Sequence, residues 1–297
     1  MKKDLLYIKD MSKDEIFSIL DTAKDMRVFL DKGERKLNIL SGMNVTTLFY
    51  ENSTRTRVSF ENAAKIMGAS TSSISVATSS VQKGETLIDT GKNLEFMLSD
   101  YFVIRHSQSG GPLHLAKNTN ARVINAGDGM NEHPTQALLD AYTMRDRFKE
   151  FKGLNVTIVG DIKHSRVARS NIYLLTKLGA KVTVCAPRTL LPIDIEKTGV
   201  KYEDCIEKAA KGADVVMALR MQLERQKSAL FPSQKEFHYY YGVKAHHIGK
   251  DTMMMHPGPC NRGLDISSSA YEHENSVILP QVTNGVAVRM AILQLLK

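Results

Sequence analysis

The sequence predicts an α/β protein of two doubly wound domains, each built on a central parallel sheet flanked by helices. Three observations predict it. The chain has 297 residues, which at roughly 150 residues per domain makes two domains. Short β-type runs alternate with longer amphipathic stretches along its length, the pattern of parallel strands covered on both faces by helices. Hydrophobic residues make up 42% and charged residues 24%, enough apolar material to bury a core and to exclude wholesale disorder.

Strands are expected at 44–50, 101–105, 122–125, 155–160, 181–186 and 214–218. Helices are expected at 14–29, 54–68, 86–98, 134–148, 166–178 and 202–211. A charged stretch, 147–154, ends in Lys152-Gly153 before a new strand and marks a boundary. The expected domains are therefore 1–150 and 151–283, with the last helix, 284–297, packing back on the first. A strand-like 277–279 precedes that helix. No internal repeat or low-complexity tract interrupts the pattern.

Composition also narrows the surroundings. The longest apolar run, 215–219, is far short of the roughly 18 residues a membrane span needs. The N-terminal ten residues are broken by acids and do not read as a signal peptide. Cys185, Cys205 and Cys260 have no CxxC spacing and cannot all pair, so a reduced, cytoplasmic chain without a zinc site or membrane partner is expected. The formal charge of +8 points to anionic partners, whether nucleic acid, an acidic surface or small acidic substrates. A solvated basic surface explains it equally well. Lysines and arginines are scattered without a basic helix or aromatic platform, which counts against nucleic acid as a partner.

In open parallel sheets, ligands bind beyond the carboxyl ends of the strands, and those positions are unusually polar here. Ser53-Thr54-Arg55-Thr56-Arg57 follows the first strand and opens a helix. Hydroxyls, helix-start N–H groups and arginine forks make a phosphate cradle, although an ordinary Ser/Thr N-cap with exposed arginines reads the same way. Arg105-His106 ends a second strand. Gly127-Asp128-Gly129 ends a third and leads to His133-Pro134-Thr135-Gln136. Pro134 suits a helical first turn and puts His133 at the helix N-terminus, either to donate a hydrogen bond to a developing oxyanion or simply to cap. Gly160-Asp161 with Arg166, Arg220-Met221-Gln222, and His256-Pro257-Gly258-Pro259 close three further strand regions. Gly160-Asp161 lacks GxGxxG, so a nicotinamide site is poorly supported. The stretch 79–85, with Ser79 and Lys83, reads on its own as a polar surface loop.

Taken in order and at their spacing, these stretches closely resemble the aspartate carbamoyltransferases. The matching segments are 53–61, the Ser79/Lys83 loop, Arg105-His106, 126–129 with 133–136, 159–161 with Arg166, Arg220-x-Gln222 and His256-Pro257-x-Pro259. The resemblance implies two α/β domains, one for carbamoyl phosphate and one for aspartate, with the active site between them. It implies transfer of the carbamoyl group to the amino group of L-aspartate, an early step of pyrimidine synthesis, with no metal or organic cofactor.

Carried over by residue, Ser53, Thr54, Arg55, Thr56 and Arg105 hold the phosphate. Thr56, Arg105 and His133 polarise the carbamoyl oxygen. Gln136 and the main chain at Gly258 and Pro259 bind the carbamoyl amide, while Arg166, Arg220 and Gln222 grip the aspartate carboxylates. Ser79 and Lys83 reach in from a neighbouring subunit, Ser79 toward carbamoyl phosphate and Lys83 toward aspartate and the reaction itself, so a homotrimer with shared sites is implied. Regulatory or dihydroorotase chains are further partners of such proteins. Glu51 is expected to pair with Arg166 and Arg225 when the domains close. The residues offer no strong Asp, Glu or Lys base for the substrate ammonium, and in the family the departing phosphate takes that proton.

The nearest rival is ornithine carbamoyltransferase, which shares the Ser-Thr-Arg-Thr-Arg site. That protein is expected to carry a Ser-Met-Gly segment and a cysteine in its His-Cys-Leu-Pro loop. Here Arg220-Met221-Gln222 and His256-Pro257-Gly258-Pro259 stand instead, and cationic forks suit a dicarboxylate better than a diamino acid. Position 258 is glycine where some relatives carry a larger apolar residue, and Cys260-Asn261-Arg262-Gly263 resembles bacterial versions that work without separate regulatory chains.

Overall fold

The computed structural model describes residues 3–75, 84–225 and 230–297. The chain divides into two compact units, Met1–Tyr142 with Val282–Lys297, and Thr143–Gln281.

In the first unit, strands β1 (Asn44–Phe49), β2 (Ser70–Ser75), β3 (Tyr101–His106) and β4 (Arg122–Asp128) form one parallel sheet in the order β2-β1-β3-β4. Helices α1 (Lys13–Asp31), α2 (Thr54–Ile66), α3 (Leu87–Phe96), α4 (Gly111–Asn118) and the start of α5 (Pro134–Phe148) accompany it. The α1 helix illustrates why these segments fold locally. Ser12 and Glu15 form a reciprocal capping box at its start, and Ile16, Ile19, Leu20, Ala23, Met26 and Leu30 bury one face at helical spacing. Val45, Leu48, Phe102, Ile104 and Val123 are buried along the strands, with Phe60 and Leu115 buried from the helices. The N-terminal segment extends the sheet past β4: Leu5 donates to the Val123 carbonyl at 2.9 Å and accepts from Asn125 N–H at 2.9 Å.

In the second unit, β5 (Asn155–Val159), β6 (Lys181–Cys185), β7 (Lys201–Glu203), β8 (Val215–Ala218) and β9 (Met253–Met255) form a parallel sheet in the order β7-β6-β5-β8-β9. Its helices are α6 (Arg166–Leu178), α7 (Ile206–Ala210), α8 (Gln234–Tyr241) and α9 (Ser268–Tyr271). The last helix, α10 (Ile278–Leu295), belongs from Val282 onward to the first unit. There the Tyr101 hydroxyl donates to the Leu293 carbonyl at 3.2 Å, and Lys297 Nζ donates to the Ile39 carbonyl at 2.7 Å.

Both sheets are parallel and carry helices, the fold class the sequence predicts. Several elements differ in detail. The strand β2 was not expected, because its sequence Ser-Thr-Ser-Ser-Ile-Ser lacks an apolar rhythm and is made a strand by pairing along β1 from Asn44↔Ser70 to Phe49↔Ser75. Residues 201–203, at the expected start of a helix, pair with β6 as β7, and the helix begins only at Ile206. The stretch 277–279 is not a strand. The extended contact is one residue earlier, where Ser276 bridges Met254, and α10 starts at Ile278.

Candidate active site

The strand order puts the switch point of the first sheet between β1 and β3, the position beyond whose carboxyl ends open α/β sheets bind ligands. The functional candidates of this unit gather there. Phe49 stands opposite Arg105 in register, and His106 opposite Asp128, so the ends of β1, β3 and β4 lie side by side. The register of β3 on β4 shifts between Ile104 and His106, an irregularity that re-aims side chains at Arg105. Arg105 donates from Nε to Glu51 Oε2 at 3.3 Å.

Ser53 is the N-cap of α2, with φ −159° and ψ 95°, and its hydroxyl makes no capping hydrogen bond. Thr54 and Arg55 in the first turn are exposed, whereas Thr56 is buried. Exposed hydroxyl and guanidinium groups at a helix start suit an anion. His133 is buried just before Pro134, and its carbonyl accepts the N–H groups of Gln136 at 3.0 Å and Ala137 at 3.2 Å. Two buried acids fix the loop that carries it. Asp128 accepts from Gly110 N–H at 2.8 Å, Asn125 Nδ2 at 2.9 Å and Glu132 N–H at 3.1 Å. Glu132 in turn accepts the Ile8 N–H at 2.8 Å. Gln136 donates from Nε2 to Asp140 Oδ1 at 2.9 Å.

The second sheet reverses between β5 and β8, and its candidates gather beyond those ends. Gly160 follows β5 with φ +129°, and a Cβ there would lie 2.6 Å from the Leu219 carbonyl oxygen. Only glycine lets the two strand ends approach this closely. Asp161, fully buried, accepts the Gln222 N–H at 3.2 Å and pairs with His164 Nδ1 at 2.8 Å. A carboxylate only accepts, so His164 carries its proton on Nδ1. Ser165 caps α6 by accepting Ala168 N–H at 3.1 Å, and Arg166, buried, is the first residue of that helix. Arg220 donates to Gln222 Oε1 at 3.1 Å and forks onto both oxygens of Glu224. Burial opposes charge on Glu224, yet the Arg220 guanidinium and the Glu224 N–H hold its carboxyl below the usual range. Arg225 donates to the His164 carbonyl at 3.0 Å. The structure thus brings Arg220, Gln222 and Arg225 together with the loop that opens α6 at Arg166.

The His256–Pro259 loop leaves β9 beside β8, since Met255 pairs with Met217. Gly258 donates its N–H to His256 Nδ1 at 2.8 Å, and the buried His256 Nε2 meets Asp265 Oδ2 at 2.9 Å. The Gly258–Pro259 peptide is cis. Ser79 and Lys83 lie outside the described residues.

Sequence reasoning passed over Asp140, His164, Glu224 and Asp265, which support these candidates. Two carried a local signal, the i,i+4 spacing of Gln136 with Asp140 and of Arg220 with Glu224. A further cluster among the described residues, Glu207, His246 and His247, has the composition of a metal site. However, His247 Nδ1 accepts the Lys244 N–H at 3.0 Å, so neutral imidazole keeps its hydrogen on Nε2, the atom 3.7 Å from Glu207. That tautomer has no lone pair for a metal there.

Two family descriptions match this chain: "Aspartate/ornithine carbamoyltransferase, carbamoyl-P binding domain" over residues 3–146 and "Aspartate/ornithine carbamoyltransferase, Asp/Orn binding domain" over residues 152–296. The chain belongs to this family. It is 56% identical over 297 residues to the aspartate carbamoyltransferase catalytic subunit of Acetivibrio thermocellus, covering 99% of this chain and 95% of that one. Its fold matches aspartate transcarbamoylase of Trypanosoma cruzi in complex with carbamoyl phosphate and aspartate, at a TM-score of 0.88 and 30% identity, over 98% of this chain and 95% of that chain. The catalytic subunit of the M. Jannaschii aspartate transcarbamoylase matches at a TM-score of 0.87 and 35% identity, over 99% and 98%.

Proposed function

We propose that the protein transfers the carbamoyl group of carbamoyl phosphate to the amino group of L-aspartate, giving N-carbamoyl-L-aspartate and phosphate. The observation that carries this reading is the Arg220 guanidinium, which grips a carboxylate, that of Glu224, with both prongs beside Gln222. A fork of this kind matches a dicarboxylate acceptor and has nothing to offer the side-chain ammonium of ornithine. The relatives named above, and the Trypanosoma structure holding carbamoyl phosphate with aspartate, support the same choice.

In this reading Ser53, Thr54, Arg55, Thr56 and Arg105 hold the phosphate. Thr56, Arg105 and His133 donate to the carbamoyl oxygen, while Gln136 and the main chain at Gly258 and Pro259 meet its amide. Arg166, Arg220 and Gln222 seat the aspartate carboxylates. The amine attacks the carbamoyl carbon, a C–N bond forms, and the bond to the phosphate oxygen breaks with its electron pair leaving on phosphate. The ammonium proton ends on that phosphate. Catalysis is then orientation plus neutralised charge, with each preorganised donor to the oxyanion contributing roughly 2.7–4 kcal/mol.

The product places the reaction early in pyrimidine biosynthesis. The family resemblance of Ser79 and Lys83 supports a homotrimer whose subunits complete one another's sites, and the relatives' designation as catalytic subunits accommodates a separate regulatory or dihydroorotase chain. Three free cysteines suit a reducing, cytoplasmic setting, and no helix among the described residues is long and apolar enough to cross a membrane. Steady-state kinetics of Arg220→Ala test the acceptor assignment. The KM for aspartate should rise at least about 10-fold, the loss of roughly 1.5–3 kcal/mol for a charged hydrogen bond, while the KM for carbamoyl phosphate stays within twofold. An unchanged aspartate KM would remove Arg220 from the acceptor site.

A further inference from the structure

Gln136 has an amide whose two ends differ chemically: Oε1 accepts and Nε2 donates. A carbamoyl NH2 group needs an acceptor, so a Gln136 turned the wrong way would repel it. The structure contains a device that sets this orientation. Asp140, one turn further along α5 and fully buried, accepts from Gln136 Nε2 at 2.9 Å. A carboxylate accepts only, so rotating the amide would bring two oxygens together. With Nε2 anchored, Oε1 is the end left to face a ligand.

A buried carboxylate needs a countercharge, and the nearby cation is Arg289 of α10, whose guanidinium flanks Gly285 together with Leu139, the residue before Asp140. Arg289 is 4% exposed. Burial lowers its pKa to about 10, and the attraction of Asp140 acts the other way. Its guanidinium lies 5.1 Å from the centre of the Phe60 ring on α2, the helix that opens with Ser53–Arg57. Room for it is built into the sequence at Gly285, where a Cβ would lie 2.5 Å from Arg289 Nη1 and 3.2 Å from Leu139 Cδ2. A glycine inside a helix costs stability, and here its missing side chain admits the buried cation.

We propose that the buried Asp140, through its hydrogen bond to Gln136 Nε2, is a positioning residue that fixes Gln136 with its carbonyl toward the carbamoyl amide. The negative charge also polarises the Gln136 amide through its N–H and makes Oε1 a stronger acceptor. The device would let the site distinguish carbamoyl phosphate from inorganic phosphate, which has no amide. This inference rests on the reading of Gln136 given above.

The test compares two ligands in the full-length protein. Asp140→Leu with Arg289→Met removes both charges together while keeping apolar bulk, and a thermal melt confirms folding. The dissociation constant for carbamoyl phosphate should rise about 10-fold, and that for inorganic phosphate should stay within twofold. Combining the pair with Gln136→Ala should add no further loss beyond Gln136→Ala alone. Equal weakening of both ligands, no change in either, or losses that simply multiply would overturn the proposal. If the double variant does not fold, the isosteric Asp140→Asn is read the same way, with a selective loss of at least about threefold expected. Gln136→Ala alone separates the two levels of inference. If it leaves the ratio of the two constants unchanged, the assignment of Gln136 fails; if it changes the ratio and the Asp140 variants do not, only the positioning role fails.

Discussion

The buried Asp161 carboxylate accepts the backbone N–H of Gln222, 61 positions away, at 3.2 Å. Its other oxygen accepts the His164 N–H and ring Nδ1 at 3.2 and 2.8 Å. One side chain thus holds the loop leading to Arg166 against the segment carrying Arg220 and Gln222. Asp161→Ala should raise the aspartate KM about 10-fold or more, in line with the roughly 1.5–3 kcal/mol of charged hydrogen bonding removed. The carbamoyl phosphate KM should stay within twofold. Equal rises in both constants would mean that Asp161 serves the fold in general.

In the proposed reading His133 and Lys83 act on the reacting group itself. Alanine at either should lower kcat by about 10²–10³, the range for losing one transition-state donor, while circular dichroism and the melting temperature stay near wild type. Substantial activity in both variants would remove them from the chemistry.

The His256–Asp265 contact serves a different end. His256 Nδ1 accepts the Gly258 N–H, so Nε2 bears the hydrogen given to Asp265. The same Asp265 oxygen takes the Asn261 N–H at 2.9 Å. Asp265→Ala strands both donors and should destabilise the protein by about 2–4 kcal/mol, read as a lower urea midpoint. A midpoint at the wild-type value would show that the loop does not depend on this pair.

His247 links stability to pH. Burial, reinforced by His246 and opposed by Glu207, lowers its pKa from 6.5 to about 4. The unfolded chain therefore binds the proton first, and stability contributed by the neutral ring is present above pH 6.5 and lost as pH falls toward 4. The loss from this group is at most about 3 kcal/mol. Urea unfolding between pH 7.5 and 4.5 should show His247→Asn with a flatter acid limb than wild type; parallel limbs would assign the acid loss to other groups.

Much of this arrangement was legible in the sequence because chemistry sits where strands end. Arg105, His133, Arg166 and Arg220 each stand at or next to the end of a periodic element, and periodicity locates such elements well. The hydroxyl-rich β2 was not legible, since its state is imposed by pairing with β1. Nor were the supports. Arg289 with Phe60, and Asp161 with Gln222, lie far apart in the chain, and no local pattern announces a contact that only the folded sheets and helices create. Fold and reacting groups were thus more readable than the side chains that orient them.

The most direct measurement is product formation from carbamoyl phosphate with aspartate or ornithine as acceptor. The account predicts N-carbamoyl-L-aspartate and phosphate in equal amounts, with ornithine turned over at least about 100-fold more slowly, as expected when a carboxylate-binding fork is left without its partner. Carbamoyl-ornithine as the main product, or no product from aspartate, would contradict it.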